Sequence, residues 1–588
     1  LKQTGYSREA PLLPAILRFS IPLMLTGILQ LAYNTADSII VGRYAGHASL
    51  AAVGSTTSII FLIITLFNGV SIGANYMAAR DFGAQDDKGL FRTVHCAALL
   101  SVILGLLACV CGLLLSTPLL RWADAPEDVL PLSVLYLRIY FLGVPALVVY
   151  NFGSALLRAV GDTFYPLLFM IVSGALNVAL NLLLVVVIPL DVAGVAIATS
   201  VSQLLSAVLV TVRLCTFRGP CRLELRKIRL YPDRTGQMLR LGFSAGLQGV
   251  LFSASNVMIQ SAINSFGSVV MAGSSAASGI ENFIHTALNT FYQSAITFTG
   301  QSIGASDPHR AVRVFRINLA LTTGLGIVLC TLAQIFQAPL LGLYVQSTDP
   351  AYDAVIAAGV VRVLALSRFQ WVGGLMETAC GTLRGLGHSM NPTVTTLIGA
   401  CLLRVVWRYT VFEAVGTVES MYWSYPVSWL LTFLIHLIYL ERDRRRLMAE
   451  NTAADKQRLP FRIFIFLIRG IAFWQNYFLC VTALFAEISK IPVNQGFSGL
   501  KVVLLHHYYT SESRCDKNFE IEVKFIDNIL PDSIFDGVRI SISRSSISCV
   551  GKKCNNFVLN VIDIFADGMV YYVIDQRSFL DRFYGGGS

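Results

Sequence analysis

Leu157–Pro166 reads LRAVGDTFYP, and Leu383–Pro392 reads LRGLGHSMNP. Both fit the frame L-R-x-x-G-x-x-x-x-P, and both sit between long apolar runs. Gly27 aligns with Gly249 and Gly83-Ala84 with Gly304-Ala305 at nearly the same offset. A repeat of this length inside membrane-embedded sequence marks a chain built from two similar halves around a central site, as in secondary transporters.

Composition agrees with that class. Of 588 residues, 55% are hydrophobic and only 14% charged, with a mean hydropathy of +0.63. No soluble domain needs so much apolar surface, so the fold class is an all-α polytopic membrane protein embedded in a lipid bilayer. The formal charge is +10, yet the bases gather in short loops, where they orient the chain and do not grip nucleic acid. Cys96, Cys109, Cys111, Cys330, Cys380 and Cys401 lie inside apolar runs. They read as small buried hydrophobes of a reducing compartment, not a disulfide framework. The first apolar segment lacks a small-residue cleavage site and is read as a retained helix.

Twelve transmembrane helices are expected, near 14–42, 51–79, 91–116, 130–157, 164–188, 192–214, 239–264, 272–299, 314–338, 354–383, 391–412 and 420–440. Each is long enough for a hydrocarbon layer of about 30 Å. Bases fall on alternate connections: Arg80, Lys88 and Arg92; Arg158; the 213–240 stretch; Arg310, Arg313 and Arg316; Arg384; and Arg442 to Arg446. That alternation puts the N-terminus and residue 445 in the cytoplasm. The chain is thus expected to form two six-helix bundles related as a parallel repeat: an N-terminal lobe over 1–215, an inter-lobe loop over 216–238, and a C-terminal lobe over 239–445. Beyond them, 455–488 holds another apolar stretch, read as an interfacial helix or a thirteenth span. Within 489–588, strand-like alternation over 519–575 predicts a small β-rich extension, with a faint likeness to the β accessory domains of transport ATPases. The chain opens without Met and ends GGGS; both ends are read as boundaries of a fused or artificial chain and carry no functional argument.

Six stretches carry a family resemblance: Leu31–Gly42 (LAYNTADSIIVG), Leu157–Pro166, Leu176–Asn181 (LNVALN), Gly194–Gln203 (GVAIATSVSQ), Thr299–Ala305 (TGQSIGA) and Leu383–Pro392. Each motif is weak alone. In this order, and on this helix pattern, they resemble the multidrug and toxic compound extrusion (MATE) family, most of all its bacterial multidrug-efflux branch. The match spans roughly residues 10–445. The resemblance implies two six-helix bundles around a V-shaped cavity and a cation-coupled antiporter. Such a protein exchanges H+ or Na+ for amphipathic, often cationic small molecules. It implies a monomer in the bacterial inner membrane that needs no cofactor beyond the coupling ion.

Asp37 is the first candidate for that coupling. It lies in the first span, three residues after Asn34, a further candidate for the cation site. An intramembrane carboxylate costs about 2.5–3.5 kcal/mol or more unless protonated, paired or wet, which makes it a functional candidate by default. The plain alternative is a helix-end acid paired with Arg43. Asn177 and Asn181, four apart in the fifth span, share one helical face. The resemblance implies an Asn on that helix and, four residues later, often an Asp completing the cation site beside Asp37. Asn181 stands in the second place, which removes a negative charge and favours H+ over Na+. Interhelical bonding is the alternative role for both amides. Thr199 or Ser200 completes the polar cluster.

The second half offers Glu281 in the eighth span and Glu377 in the tenth, while its seventh span carries no acid. Glu281 is a candidate for attracting a cationic substrate or for a structural pair. Glu377 is a candidate for the substrate cavity or for a structural pair with Arg384 or Arg368. Tyr33, Phe67, Met258, Phe283, Phe291 and Trp371 are candidates for lining an apolar cavity, where ring faces attract cations; the alternative for each is packing. No Walker A sequence is present. His506-His507, with Cys549 and Cys554, lack metal-ligand spacing. No nucleophile–base pair stands in the spans, so the chain is not read as an enzyme. Two other functions stay open: a lipid-linked precursor flippase of the same superfamily, and a membrane sensor presenting the C-terminal module.

Overall fold

A computed structural model describes residues 11–122, 127, 129–345, 350–451, 519–521 and 540–542. Twelve long helices account for nearly all of them: α1 Leu12–Ala45, α2 Gly46–Gly83, α3 Asp87–Trp122, α4 Leu130–Ala159, α5 Phe164–Val187, α6 Asp191–Cys215, α7 Pro232–Asn264, α8 Ser268–Gly304, α9 Pro308–Ile335, α10 Tyr352–Gly385, α11 Met390–Val415 and α12 Val418–Asn451. A short helix, Gln337–Gly342, lies after α9. Apolar runs must satisfy their backbone groups internally in lipid, and the helix does this within one segment.

Ten of the twelve are long and apolar enough to cross a membrane. The exceptions are α7 and α8, which have the length, at 33 and 37 residues, but a more polar sequence. Their polarity has a packing cause. Thr290, Ser294, Thr297, Thr299, Gln301 and Ser302 of α8 are all buried in helix contacts and away from lipid, and Thr290, Thr297, Gln301 and Ser302 donate hydrogen bonds there.

The repeat is visible as two copies of the same turn. Gly161 and Gly387 both take positive φ, 85° and 93°. In each, the glycine N–H donates to the frame's arginine carbonyl and the next N–H to its leucine carbonyl. Only a residue without Cβ takes that conformation freely, so the frame's glycine closes the helix. A second matched turn stands at the ends of α2 and α8. Gln85 and Ser306 have φ of 55° and 54°, and Asp86 N–H donates to Asp81 as Asp307 N–H does to Ser302. Helix neighbours repeat too. In each half the first helix packs on the fifth, the second and third on the fourth, and the fourth on the sixth.

The residue after the turn glycine ties each turn to the last helix of its half, with charges exchanged. Asp162 accepts from Arg213 at 3.1 Å near the end of α6, whereas His388 lies 3.0 Å from Asp443 near the end of α12. Hydrogen bonding to Asp443 raises the pKa of His388. A raised value means that the stabilisation is complete below the ordinary histidine range near 6.5, and fades as pH climbs through the folded value. The pair is surface-accessible and worth about 0.2–1 kcal/mol. Thermal midpoints of wild type and Asp443→Asn should therefore differ at pH 6 and converge at pH 9. A gap that stays constant or widens with pH would contradict this.

The halves meet at the end bearing Arg80, Arg158 and Arg384. There α2 and α7 cross through two G-x-x-x-G pairs, Gly69 with Gly73 and Gly242 with Gly246. A Cβ on Gly69 would lie 2.2 Å from the Gly246 nitrogen, so the backbones touch as small-residue faces allow. Asn75 and Thr297 bond across the joint at 3.0 Å, and Gln301 donates to the Ala159 carbonyl at 2.8 Å. Phe19 meets Phe298 edge-on. At the opposite end each half keeps its own cluster, Ile40 and Val41 with Tyr136 and Val195 in one, Ile259 and Ile263 with Met421 and Tyr422 in the other. The shared packing thus lies at the basic end.

The chain divides into two units, Leu1–Gln457 and Arg458–Ser588. In the second, Phe519–Ile521 pairs antiparallel with Ile540–Ile542. The rest of the anticipated β-rich extension, and the apolar 461–486 stretch, lie outside the described residues.

Candidate functional site

Asp37 and Asn181 are brought together from α1 and α5. Asn181 Nδ2 donates to Asp37 Oδ1 at 2.5 Å and also faces Asn177 Oδ1 at 3.4 Å. Asn177 in turn donates to Thr199 Oγ1 of α6 at 3.5 Å. The chain Asp37–Asn181–Asn177–Thr199 thus links three helices of the first half. A bond to an ionised acceptor is short and strong, and this one is the shortest of the three. Asn181 is fully buried, and its Oδ1 has no partner among the described residues. That leaves an amide oxygen free beside the carboxylate, a second acceptor for a proton donor or a cation.

Local backbone explains why these side chains converge. Both α1 and α5 pass into π-helix within one turn after the site residue, at Val41–Ala45 and Leu182–Val187. Such bulges add a residue to a turn, rotate the remainder of the helix about its axis, and recur at functional positions. Gly174 lets α5 close on Tyr33, since a Cβ there would fall 1.9 Å from its ring. Among the described residues no ion pair joins Asp37 to Arg43.

Other expected members fall elsewhere. Asn34 is exposed and its side chain makes no bond within the cluster. Ser200 donates to the Ile139 carbonyl instead. Sequence reasoning missed two aromatics on α4, Tyr136 and Tyr140, which lie within electrostatic reach of Asp37. Gln203 of α6 holds the Tyr140 hydroxyl at 3.5 Å. Their spacing of four residues on one helix face was the available signal.

In the second half, Glu281 is committed to Arg362 of α10, which was not singled out in the sequence. Nε and Nη2 reach its two oxygens at 3.0 and 2.9 Å, and Nη1 donates to Ser274 at 2.6 Å. Gln370 adds a bond to the Glu281 carbonyl at 2.7 Å. With both carboxylate oxygens occupied, Glu281 has little left for an incoming cation.

Glu377 does not take the arginine partners expected of it. His285 Nε2 lies 2.9 Å from Oε1 and Asn289 donates to Oε2 at 3.0 Å, both from α8. Arg384 bonds Tyr292 and Gln248. The reason is axial: seven residues along α10 leave Glu377 and Arg384 on one face but about 10 Å apart, while α8 presents His285 and Asn289 alongside Glu377. Of the cavity candidates, Phe291 and Trp371 are buried in helix contacts, Trp371 against Gly326, so they act as packing. Tyr33 and Phe67 are half-buried, and Met258 and Phe283 are exposed. Among the described residues no group of three or more His, Cys, Asp or Glu could hold a metal ion.

Comparison with known proteins gives a consistent picture. The MatE family model matches residues 22–183 and 245–410, one segment in each half. The probable multidrug resistance protein YoeA of Bacillus subtilis is 26% identical over 430 residues, covering 71% of this chain and 91% of the relative. The multidrug export protein MepA of Staphylococcus aureus is 20% identical over 448 residues, covering 75% and 97%. Among solved structures, an outward-facing multidrug resistance MATE family transporter of the MOP superfamily superposes with a TM-score of 0.69 at 22% identity, covering 74% and 96%. MATE in the bent conformation gives 0.69 at 20%, covering 74% and 96%.

Proposed function

The chain belongs to the MatE family, a family of transporters and not of enzymes, and on that footing we propose that it is a multidrug efflux antiporter. In this reading it crosses the bacterial inner membrane twelve times as a monomer, with both the N-terminus and the basic end cytoplasmic. It exports amphipathic, often cationic compounds in exchange for H+. The relatives named for multidrug resistance and export support the substrate class. The observation that carries the coupling is the bond between Asp37 and Asn181 across α1 and α5.

The proposed cycle rests on charge. Ionised Asp37 accepts strongly from Asn181 and holds α1 against α5. A proton arriving from outside neutralises the carboxyl, which weakens that charge-assisted bond and alters the α1–α5 contact. A ligand drives a two-state change only through different affinity for the two states, and the charge of Asp37 provides the difference. One carboxylate with amides and a hydroxyl suits a single proton better than Na+, which would need further oxygen ligands.

The test uses the purified chain in liposomes. An imposed pH gradient should drive uptake of a fluorescent organic cation, and an equal Na+ gradient at constant pH should not. Uptake driven by Na+ alone would overturn the proton assignment. No uptake under either gradient would overturn the antiporter itself.

A further inference from the structure

The connection between the halves, residues 216–231, folds against the start of α3 and forms with it an open cavity of about 690 Å3. Lys88, Arg92, Arg222, Asp87, Glu224 and Tyr231 line it. The transport reading makes no use of it.

Its walls are held by specific bonds. Buried His95 takes the Glu224 N–H on Nε2 at 3.0 Å, which leaves Nδ1 to donate to the Phe91 carbonyl at 2.8 Å. Leu223 N–H donates to Leu214 at 3.0 Å, and Arg222 Nε donates to the Cys215 carbonyl at 3.1 Å. Tyr231 stands between Arg92 and Arg229, 5.7 and 4.7 Å from its ring.

The charge inside is lopsided. Lys227 neutralises Glu224 at 2.8 Å. Among the described residues Lys88, Arg92 and Arg222 form no ion pair, and Arg222 joins Lys227 within electrostatic reach of Glu224, so four bases meet two acids, Asp87 and Glu224. Bases at the headgroup level of a membrane protein attract anionic lipids.

Two features point to a lipid and not to a soluble anion. Lys88 and Arg92 share a face of α3 with Ile103, Leu106, Val110 and Leu114, at helical spacing, and all four apolar side chains are exposed. A phosphate in the cavity therefore sits at the foot of an apolar track on a membrane-crossing helix. The loop also exposes Leu225 (62%) and Leu230 (41%) beside Arg226, Lys227 and Arg229, the mixed pattern of a segment resting on headgroups.

We propose that this cavity binds the headgroup of an anionic glycerophospholipid of the phosphatidylglycerol type, with its acyl chains along α3. Lys88, Arg92 and Arg222 take the phosphate, and Asp87 accepts from the glycerol hydroxyls. The site needs only that the protein lies in a bilayer, whatever it transports.

Native mass spectrometry of the full chain tests this in micelles containing equal phosphatidylglycerol, phosphatidylethanolamine and phosphatidylcholine. Phosphatidylglycerol adducts should dominate. Each of Lys88→Gln, Arg92→Gln and Arg222→Gln should reduce them about fivefold. Glu224→Gln, which frees Lys227, should increase them, so a merely unfolded variant cannot mimic the pattern. Equal retention of all three lipids, or no response to the four variants, overturns the proposal. Displacement of bound lipid by millimolar glycerol 3-phosphate also overturns it, since the cavity would then serve a soluble phosphate.

Discussion

Asp37→Asn should lower gradient-driven uptake of an organic cation by about tenfold or more, the equivalent of at least about 1.4 kcal/mol. The folded state should be retained. Asparagine is isosteric with aspartate and can still accept from Asn181 through its carbonyl, so the α1–α5 contact keeps its shape. What it loses is the ability to change charge, the only property that lets a proton distinguish the two states. Equilibrium unfolding of the variant in detergent should match or exceed wild type, because an intramembrane carboxylate has been removed. Uptake above half the wild-type rate would move coupling away from Asp37. Loss of both uptake and fold would mean that the residue is structural.

Glu281→Gln should have the largest effect on stability. It leaves Arg362, 5% exposed, with a neutral amide where a carboxylate met two of its nitrogens. Removing one partner of a buried ion pair costs about 3–5 kcal/mol, because the remaining charge is uncompensated. Replacing both partners, as Glu281→Leu with Arg362→Met, should recover most of that loss, since apolar pairs of similar volume often equal or exceed a buried ion pair. The comparison also separates structure from transport. The stable double variant should still export, because both Glu281 oxygens are already engaged by Arg362. A single-variant cost below about 1 kcal/mol, or a double variant no better than the single, would sink this account.

Much of the fold can be read along the chain because its causes are local. Apolar length specifies a crossing, and the glycine five positions into each repeat frame specifies a left-handed turn, at Gly161 and again at Gly387. Helix ends were less legible. The helix α7 starts at Pro232, well before its apolar run, because a polar first turn costs nothing outside the hydrocarbon. Residues 69–73 and 242–246, both G-x-x-x-G, stated a close helix crossing in plain view, yet nothing in either motif names its partner.

The site divides the same way. Asp37, Asn177 and Asn181 were legible because intramembrane polarity is costly and a spacing of four puts two amides on one face. That Thr199 joins and Ser200 turns away was not legible, for adjacent residues differ by about 100° around a helix. Which base meets which acid was beyond reach. Glu281 found Arg362, and Glu377 found His285 and not Arg384, across 81 and 92 residues of chain.

The membrane, the two matched halves, the turns that end their fourth helices, and the lone acid of the first span all follow from the order of residues. Each comes from hydropathy, glycine conformation or the cost of burying charge, which act within a few residues. The partners that no reading of the chain anticipated came from tertiary structure: Arg362 for Glu281, His285 for Glu377, and the inter-lobe loop folded onto α3. Those depend on the rotation of each packed helix about its axis, where a shift of one residue sends a side chain to a different neighbour.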